Sequence, residues 1–221
     1  MQATKAYKGM GMEGATARWY ASLTKKSLND FQLLARRIAA EISRGSSVLE
    51  VAPGPGFLAI ELAKLGNYRI TGLDISETFV QIARANAAAA KVQVQFQRGN
   101  ASKMPFNDGQ FDYVVCRAAF KNFTEPLAAL EEMYRVLKPG GTALIIDLRR
   151  DASWGALSQH ARTMHLGIVN GLITKLTFRF MLLKRAYTTA EFESMAAQTK
   201  FRQADVTQDL VALEVLLKKT V

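Results

Sequence analysis

The chain holds one cysteine, Cys116, and two histidines, His160 and His165, in 221 residues. A lone thiol excludes an internal disulfide and any multi-cysteine metal centre, and two histidines offer few ligands for zinc, so no metal is expected. Long apolar runs are lacking too. The richest, Leu166 to Leu183, is broken by Asn170, Lys175 and Arg179, short of the roughly 20 apolar residues that a membrane span needs. No apolar run follows Met1-Gln2-Ala3-Thr4-Lys5, so no signal peptide and a cytoplasmic location are expected. Acidic residues are in deficit: 19 Asp and Glu stand against 29 Lys and Arg, for a net charge of +10.

That excess is unevenly placed. Residues 1–44 carry +5 and residues 149–221 carry +5, while residues 45–148 are neutral. Two basic flanks folded over one edge would offer a positive surface to whatever enters. Solvated helix faces account for the same charges equally well.

What is present is a rhythm of strands and helices. Phe31, Leu34, Ile38 and Ile42 recur at spacings of three and four behind Ser27, which predicts a helix. Val48 to Val51 reads as a strand, Leu58 to Leu65 as a helix, and Arg69 to Asp74 as a second strand. Ser76 suits the N-cap of a helix through Ala90. Val92, Val94 and Phe96 alternate as a third strand, and Phe111 to Cys116 makes a fourth. A helix from Thr124-Glu125-Pro126 to Leu137 stops at Lys138-Pro139-Gly140-Gly141, and Thr142 to Ile146 follows as a fifth strand. Such alternation predicts a parallel sheet covered on both faces. Residues 152–183 read as helical, and Thr188 to Glu191 has capping-box spacing. Phe201 to Thr207 and Leu210 to Leu217 read as strands joined by Gln208-Asp209, an antiparallel hairpin closing the sheet.

Ligands of open α/β sheets sit beyond the carboxyl ends of the strands. Here the first strand turns through Glu50-Val51-Ala52-Pro53-Gly54-Pro55-Gly56, and Asp74 ends the next strand 20 residues after Gly54. Glycines let backbone N–H groups approach a ligand, and a carboxylate at that place can receive both hydroxyls of a ribose. Gly54-x-Gly56-x-x-Ala59 also satisfies the dinucleotide pattern, so a nicotinamide or flavin enzyme fits these residues as well.

Five segments taken together resemble the class I S-adenosylmethionine-dependent methyltransferases, and within them the small-molecule group that includes the ubiquinone and menaquinone C-methyltransferases. They are Val48 to Gly56, Gly72-Leu73-Asp74-Ile75-Ser76, Gly99 to Phe106, Phe111-Asp112-Tyr113-Val114-Val115, and Arg135 to Gly141. The resemblance implies a Rossmann-like, seven-stranded, mostly parallel sheet with a C-terminal antiparallel hairpin, helices on both faces and an N-terminal helical cap. It implies one domain over residues 1–221: cap 1–44, cofactor-binding core 45–148, helical insert or lid 149–186, helix and hairpin 187–221.

The cofactor so implied is S-adenosyl-L-methionine, with S-adenosyl-L-homocysteine as product. By the same resemblance Glu50 faces the methionine end, Ala52, Pro53, Gly54 and Gly56 wrap the ligand with main-chain groups, and Asp74 holds the ribose. Ile75 lies against adenine, Asn100 and Ala101 read its edge, and Cys116 and Arg117 border the methionine portion. Met104 is expected near the ligand or in the core. Ala52 stands where the family most often has glycine, and Asn100 where aspartate is usual; an amide still accepts from the adenine amine.

Methyl transfer from a sulfonium needs alignment more than a catalytic side chain, and none is assigned. Acceptor-pocket candidates are Phe120 and Lys121 after the fourth strand and Tyr20 in the cap, beside Trp19. Lys121 could anchor an anion, act as a desolvated base or stay solvated. The expected partner is a small apolar acceptor. Residues 117–123 lack the Asn-Pro-Pro-aromatic motif of many base and amide N-methyltransferases, and nucleic acid is not expected. An RNA or protein methyltransferase and a non-catalytic cofactor-binding subunit are the alternatives. For the apolar insert, core packing ranks ahead of a lid, and a lid ahead of contact with a membrane surface.

Overall fold

The computed structural model describes residues 7–8, 11–163 and 183–220, without the side chains of 160–163. Most of the apolar insert, His165 and the His160 side chain lie outside the described residues. Two cap helices come first, α1 (Gly14–Thr24) and α2 (Leu28–Glu41). They are followed by β1 (Ser47–Val51), α3 (Phe57–Ala63), β2 (Arg69–Asp74), α4 (Glu77–Ala89) and β3 (Gln95–Arg98). Then come β4 (Phe111–Arg117), α5 (Pro126–Val136), β5 (Leu137–Leu148), α6 (Trp154–Thr163), α7 (Thr189–Ala197), β6 (Asp205–Gln208) and β7 (Ala212–Lys218).

The seven strands lie in the order β3-β2-β1-β4-β5-β7-β6, with β7 antiparallel to both β5 and β6. Strand order reverses between β1 and β4, and the loops after them open at one edge. Along β4, successive side chains go to opposite faces, as period two requires. Val114 and Cys116 join Leu49, Ile145 and Val215 under α5 and α7. Tyr113 and Val115 join Val48, Ile70 and Leu144 under α2, α3 and α4.

Local chemistry explains the boundaries. Ser76 caps α4, its hydroxyl accepting from the Phe79 N–H at 3.0 Å, and Thr188 and Glu191 form the expected capping box on α7. Three boundaries differ from expectation: β3 begins only at Gln95, beyond Val92 and Val94, and two others lie near the end of the sheet. Lys138-Pro139-Gly140-Gly141 does not stop the chain before β5; Leu137 already pairs with Phe111, and the register shifts before Thr142 pairs with Tyr113. A Cβ at Gly141 would lie 2.9 Å from the Lys138 carbonyl oxygen, so the glycine permits an irregularity inside a strand rather than a break. The hairpin is shorter than expected because β6 begins only at Asp205, after Arg202 adopts a positive φ of 64°.

Gly72 in β2 is held by close packing. A Cβ there would sit 2.5 Å from Phe96 Cδ1 and 3.1 Å from Pro53 Cγ, against a ring that is itself buried. Gly72→Ala is expected to cost about 1–3 kcal/mol, read as a lower urea midpoint at unchanged slope. An unchanged midpoint would show that the ring moves aside freely.

Candidate functional site

The carboxyl ends of β1 and β2 are tied into one unit by hydrogen bonds to Asp74. Its Oδ2 accepts from the Gly54 N–H at 2.9 Å and its Oδ1 from the Ser76 N–H at 2.9 Å. Its carbonyl accepts from the Gly99 N–H at 2.8 Å, which brings Asn100 and Ala101 beside it. The Asn100 side chain accepts from the Ser102 N–H at 3.0 Å. Asp74 is buried, and desolvation pushes its carboxyl up to about 6 against the pull of the Ser76 and Gly54 amides.

The loop between β1 and α3 needs three left-handed residues: Ala52 (φ 56°), Gly54 (φ 54°) and Gly56 (φ 79°). A Cβ at Gly56 would strike Phe96 Cζ at 2.7 Å and Ala83 Cβ at 2.9 Å, so that glycine serves packing. A Cβ at Gly54 meets nothing within 4 Å; its outer side is open, as a ligand cradle requires. Ala52 has the same backbone with a Cβ, a strain of about 1 kcal/mol, and donates its N–H to the Leu73 carbonyl at 2.8 Å. The Asn86 amide holds the Pro55 carbonyl at 2.9 Å. A carboxylate has about four acceptor positions, so Asp74 can keep its two amides and still receive hydroxyls. These residues fit an adenosyl ligand.

Glu50 lies on the α3 face of β1. Its Oε2 accepts from the Ala59 N–H at 2.9 Å, and burial drives its carboxyl up to about 8, against smaller pulls from that amide and Arg117. Near neutral pH this residue is largely protonated and fastens the first turn of α3.

Other expected site residues lie elsewhere. Cys116 does not border an opening: it is 0% exposed in the core under α5, and burial raises its thiol well above the usual range. Arg117, on the opposite face, stacks on Phe31 at 4.4 Å from the ring centre. It lines a pocket of about 250 Å³ with Leu33, Leu34, Arg37 and Ile146. Phe120 is also 0% exposed, packed among Phe123, Tyr187 and Phe192, and Met104 is buried in the same cluster. Tyr20 rests edge-on against Phe79 at 5.8 Å, whereas its neighbour Trp19 is 64% exposed.

Lys121 is neither solvated nor free for an anion. Its Nζ donates to Asp147 Oδ1 at 2.7 Å and to the Ala118 carbonyl at 2.6 Å, and its N–H donates to Asp147 Oδ2 at 2.8 Å. Both side chains are buried. The pair clamps the turn after β4, where Ala118 has φ 59°, onto the end of β5.

Sequence reasoning missed Asp147 as a site element and missed an N-terminal latch. Tyr7 bridges Phe123, and the Lys8 N–H donates to the Asn122 carbonyl at 2.7 Å. Glu13 accepts from the Glu77 and Thr78 amides at 3.0 Å, and the Met12 carbonyl accepts from Ser76 Oγ at 2.6 Å. The missed signal was an acidic side chain free to cap α4 from another segment, a contact that only the fold creates.

Two outcomes follow. Glu50 titrates near 4.5 unfolded and about 8 folded, so the native state keeps a proton that the unfolded chain releases. Its contribution is full below pH 4.5 and is lost as pH rises toward 8. Glu50→Gln is expected to flatten the fall in urea midpoint between pH 5 and 8; an equal slope in both proteins would contradict this. Lys121→Met leaves the Asp147 charge buried and is expected to cost about 3–5 kcal/mol. Adding Asp147→Asn, which keeps the acceptor without the charge, should recover part of that loss in a double-mutant cycle.

Residues 49–145 match the family model described as a methyltransferase domain. A demethylmenaquinone methyltransferase from Chlorobaculum parvum is 32% identical over 175 residues, covering 76% of this chain and 71% of that protein. One from Deinococcus radiodurans is 37% identical over 122 residues, covering 53% of this chain and 51% of that protein. The chain thus spans about half the length of the Deinococcus relative. Among solved structures, a SAM-dependent methyltransferase from Aquifex aeolicus superposes with a TM-score of 0.65 at 20% identity, covering 90% of this chain and 97% of that one. With the fold in agreement with these likenesses, the chain belongs to the class I S-adenosylmethionine-dependent methyltransferases.

Proposed function

We propose that this protein transfers a methyl group from S-adenosylmethionine to a small apolar acceptor. Its quinone-methylating relatives point to a lipid-soluble ring compound as the acceptor class. The observation that carries the reading is the buried Asp74 carboxylate, held by the Gly54 and Ser76 amides at the open side of the β1–α3 turn. In this reading Asp74 receives the ribose hydroxyls, Ala52 to Gly56 line the nucleoside with main-chain groups, and Ile75, Asn100 and Ala101 border adenine. The bound sulfonium supplies an electrophilic methyl carbon, and the protein's work is to hold the acceptor in line with it and keep water away.

The clamped turn at Lys121 and Asp147 gives that alignment a rigid wall, while Tyr20 and the pocket beside Arg117 mark the sides from which an acceptor could be held. Residues 1–221 act as one unit in this reading, in the cytoplasm.

The test is titration calorimetry with S-adenosylmethionine and S-adenosylhomocysteine, with label transfer to a demethylated quinol. Asp74→Ala is expected to weaken binding by about a hundredfold through loss of two charge-assisted hydrogen bonds. Wild-type affinity should rise with pH through about 6 as the carboxylate ionises. Heat of binding unchanged by Asp74→Ala would overturn the assignment.

A further inference from the structure

The outward face of α1 carries a chemistry that the cofactor site does not use. Ala15, Arg18, Trp19, Ser22 and Leu23 recur at spacings of three and four and are all exposed, so they form one stripe along the helix, and exposed Lys25 and Lys26 follow in the short 3-10 turn after it. The opposite side is spoken for: Ala17 is buried, Tyr20 packs on Phe79, and the Thr24 hydroxyl returns to the Tyr20 carbonyl. Within the stripe Trp19 is 64% exposed and Leu23, one turn later, 43%. Leu33 on α2 is 63% exposed, with Arg36 exposed one turn beyond it.

The charges on this side are predominantly positive, with exposed Asp30 in the first turn of α2 as an acidic neighbour. Residues 14–29 contain Arg18, Lys25 and Lys26 and no acidic side chain. Among the described residues, no carboxylate pairs with these three cations or with Arg36. A tryptophan and leucines interspersed in sequence with unpaired cations match a bilayer interface: the rings and branched chains enter the acyl boundary while the cations meet anionic headgroups. A nucleic acid would satisfy the cations but leave Leu23 and Leu33 facing charge and water, so lipid is the better complement.

We propose that α1 and the start of α2 dock the protein on an anionic membrane surface through Trp19, Leu23 and Leu33, with Arg18, Lys25, Lys26 and Arg36 on the headgroups. This stands on surface chemistry alone and does not depend on the methyl-transfer reading. Because α1 also packs on α4 through Tyr20 and Phe79, docking would bring the carboxyl ends of the strands close to lipid. That would suit a bilayer-dissolved acceptor, a consequence that does rest on the preceding reading.

The full chain would be sedimented with phosphatidylcholine vesicles, with or without about one-third phosphatidylglycerol. Binding is expected only to the anionic vesicles, falling roughly fivefold for each cation removed in Lys25→Gln and Lys26→Gln, and about tenfold or more in Trp19→Ser/Leu23→Ser. In a Trp154→Phe background, Trp19 emission should shift to the blue on those vesicles. Cofactor affinity of the Trp19/Leu23 variant should match the wild type, which separates lost docking from lost folding. Equal sedimentation of wild type and variants, an unshifted Trp19, preferential retention by RNA, or self-association abolished by Trp19→Ser without any lipid binding would each overturn the proposal.

Discussion

A single carboxylate organises the functional edge of this protein. Asp74 ends β2 with side-chain and main-chain acceptors that collect Gly54 from the first loop, Ser76 from the next helix and Gly99 from the end of β3. Three segments distant in sequence are thereby set relative to one another by groups that would otherwise be buried without partners. Leaving such groups unpaired costs more than each bond returns, so the loop has little freedom to choose another shape. The strained backbone at Ala52 is tolerated because the Leu73 carbonyl and the Asp74 carboxylate hold the residues around it.

The second carboxylate at this edge behaves differently because its surroundings differ. Asp74 meets two amides and titrates near 6, so it is mostly charged at neutral pH. Glu50, with one amide and deeper burial, stays mostly protonated there and works as a fastening for α3. Two acids bonded to either end of the same loop and helix are thus sorted into a mostly charged one and a mostly protonated one by desolvation and hydrogen-bond count. Lys121 and Asp147 solve the same problem by neutralising each other, which ties the turn after β4 to β5.

Much of this was legible in the residues. The alternation of apolar runs with turns gave all seven strands, the capping signals at Ser76 and Thr188 marked helix starts that the fold keeps, and the Gly54 to Asp74 spacing located the loop. What the residues do not encode is direction and partners. Cys116 stands near the end of β4 and Phe120 in the short 3-10 turn beyond it, and the strand's alternation for the first and the packing of α5 and α7 for both bury the two side chains. The pairing of Lys121 with Asp147 joins residues 26 apart through the β4–β5 register, and no local pattern encodes that register. Glu13 reaches α4 from a segment 64 residues away for the same reason.

The burial of Cys116 has a consequence beyond packing. A thiol with no access to water and little thiolate character reacts with neither alkylating reagents nor oxidants while the sheet is intact. Its place on β4, the central strand of the sheet between β1 and β5, means that fraying at the edges does not reach it. The molecule therefore carries an internal gauge whose chemical silence lasts as long as its centre stays folded.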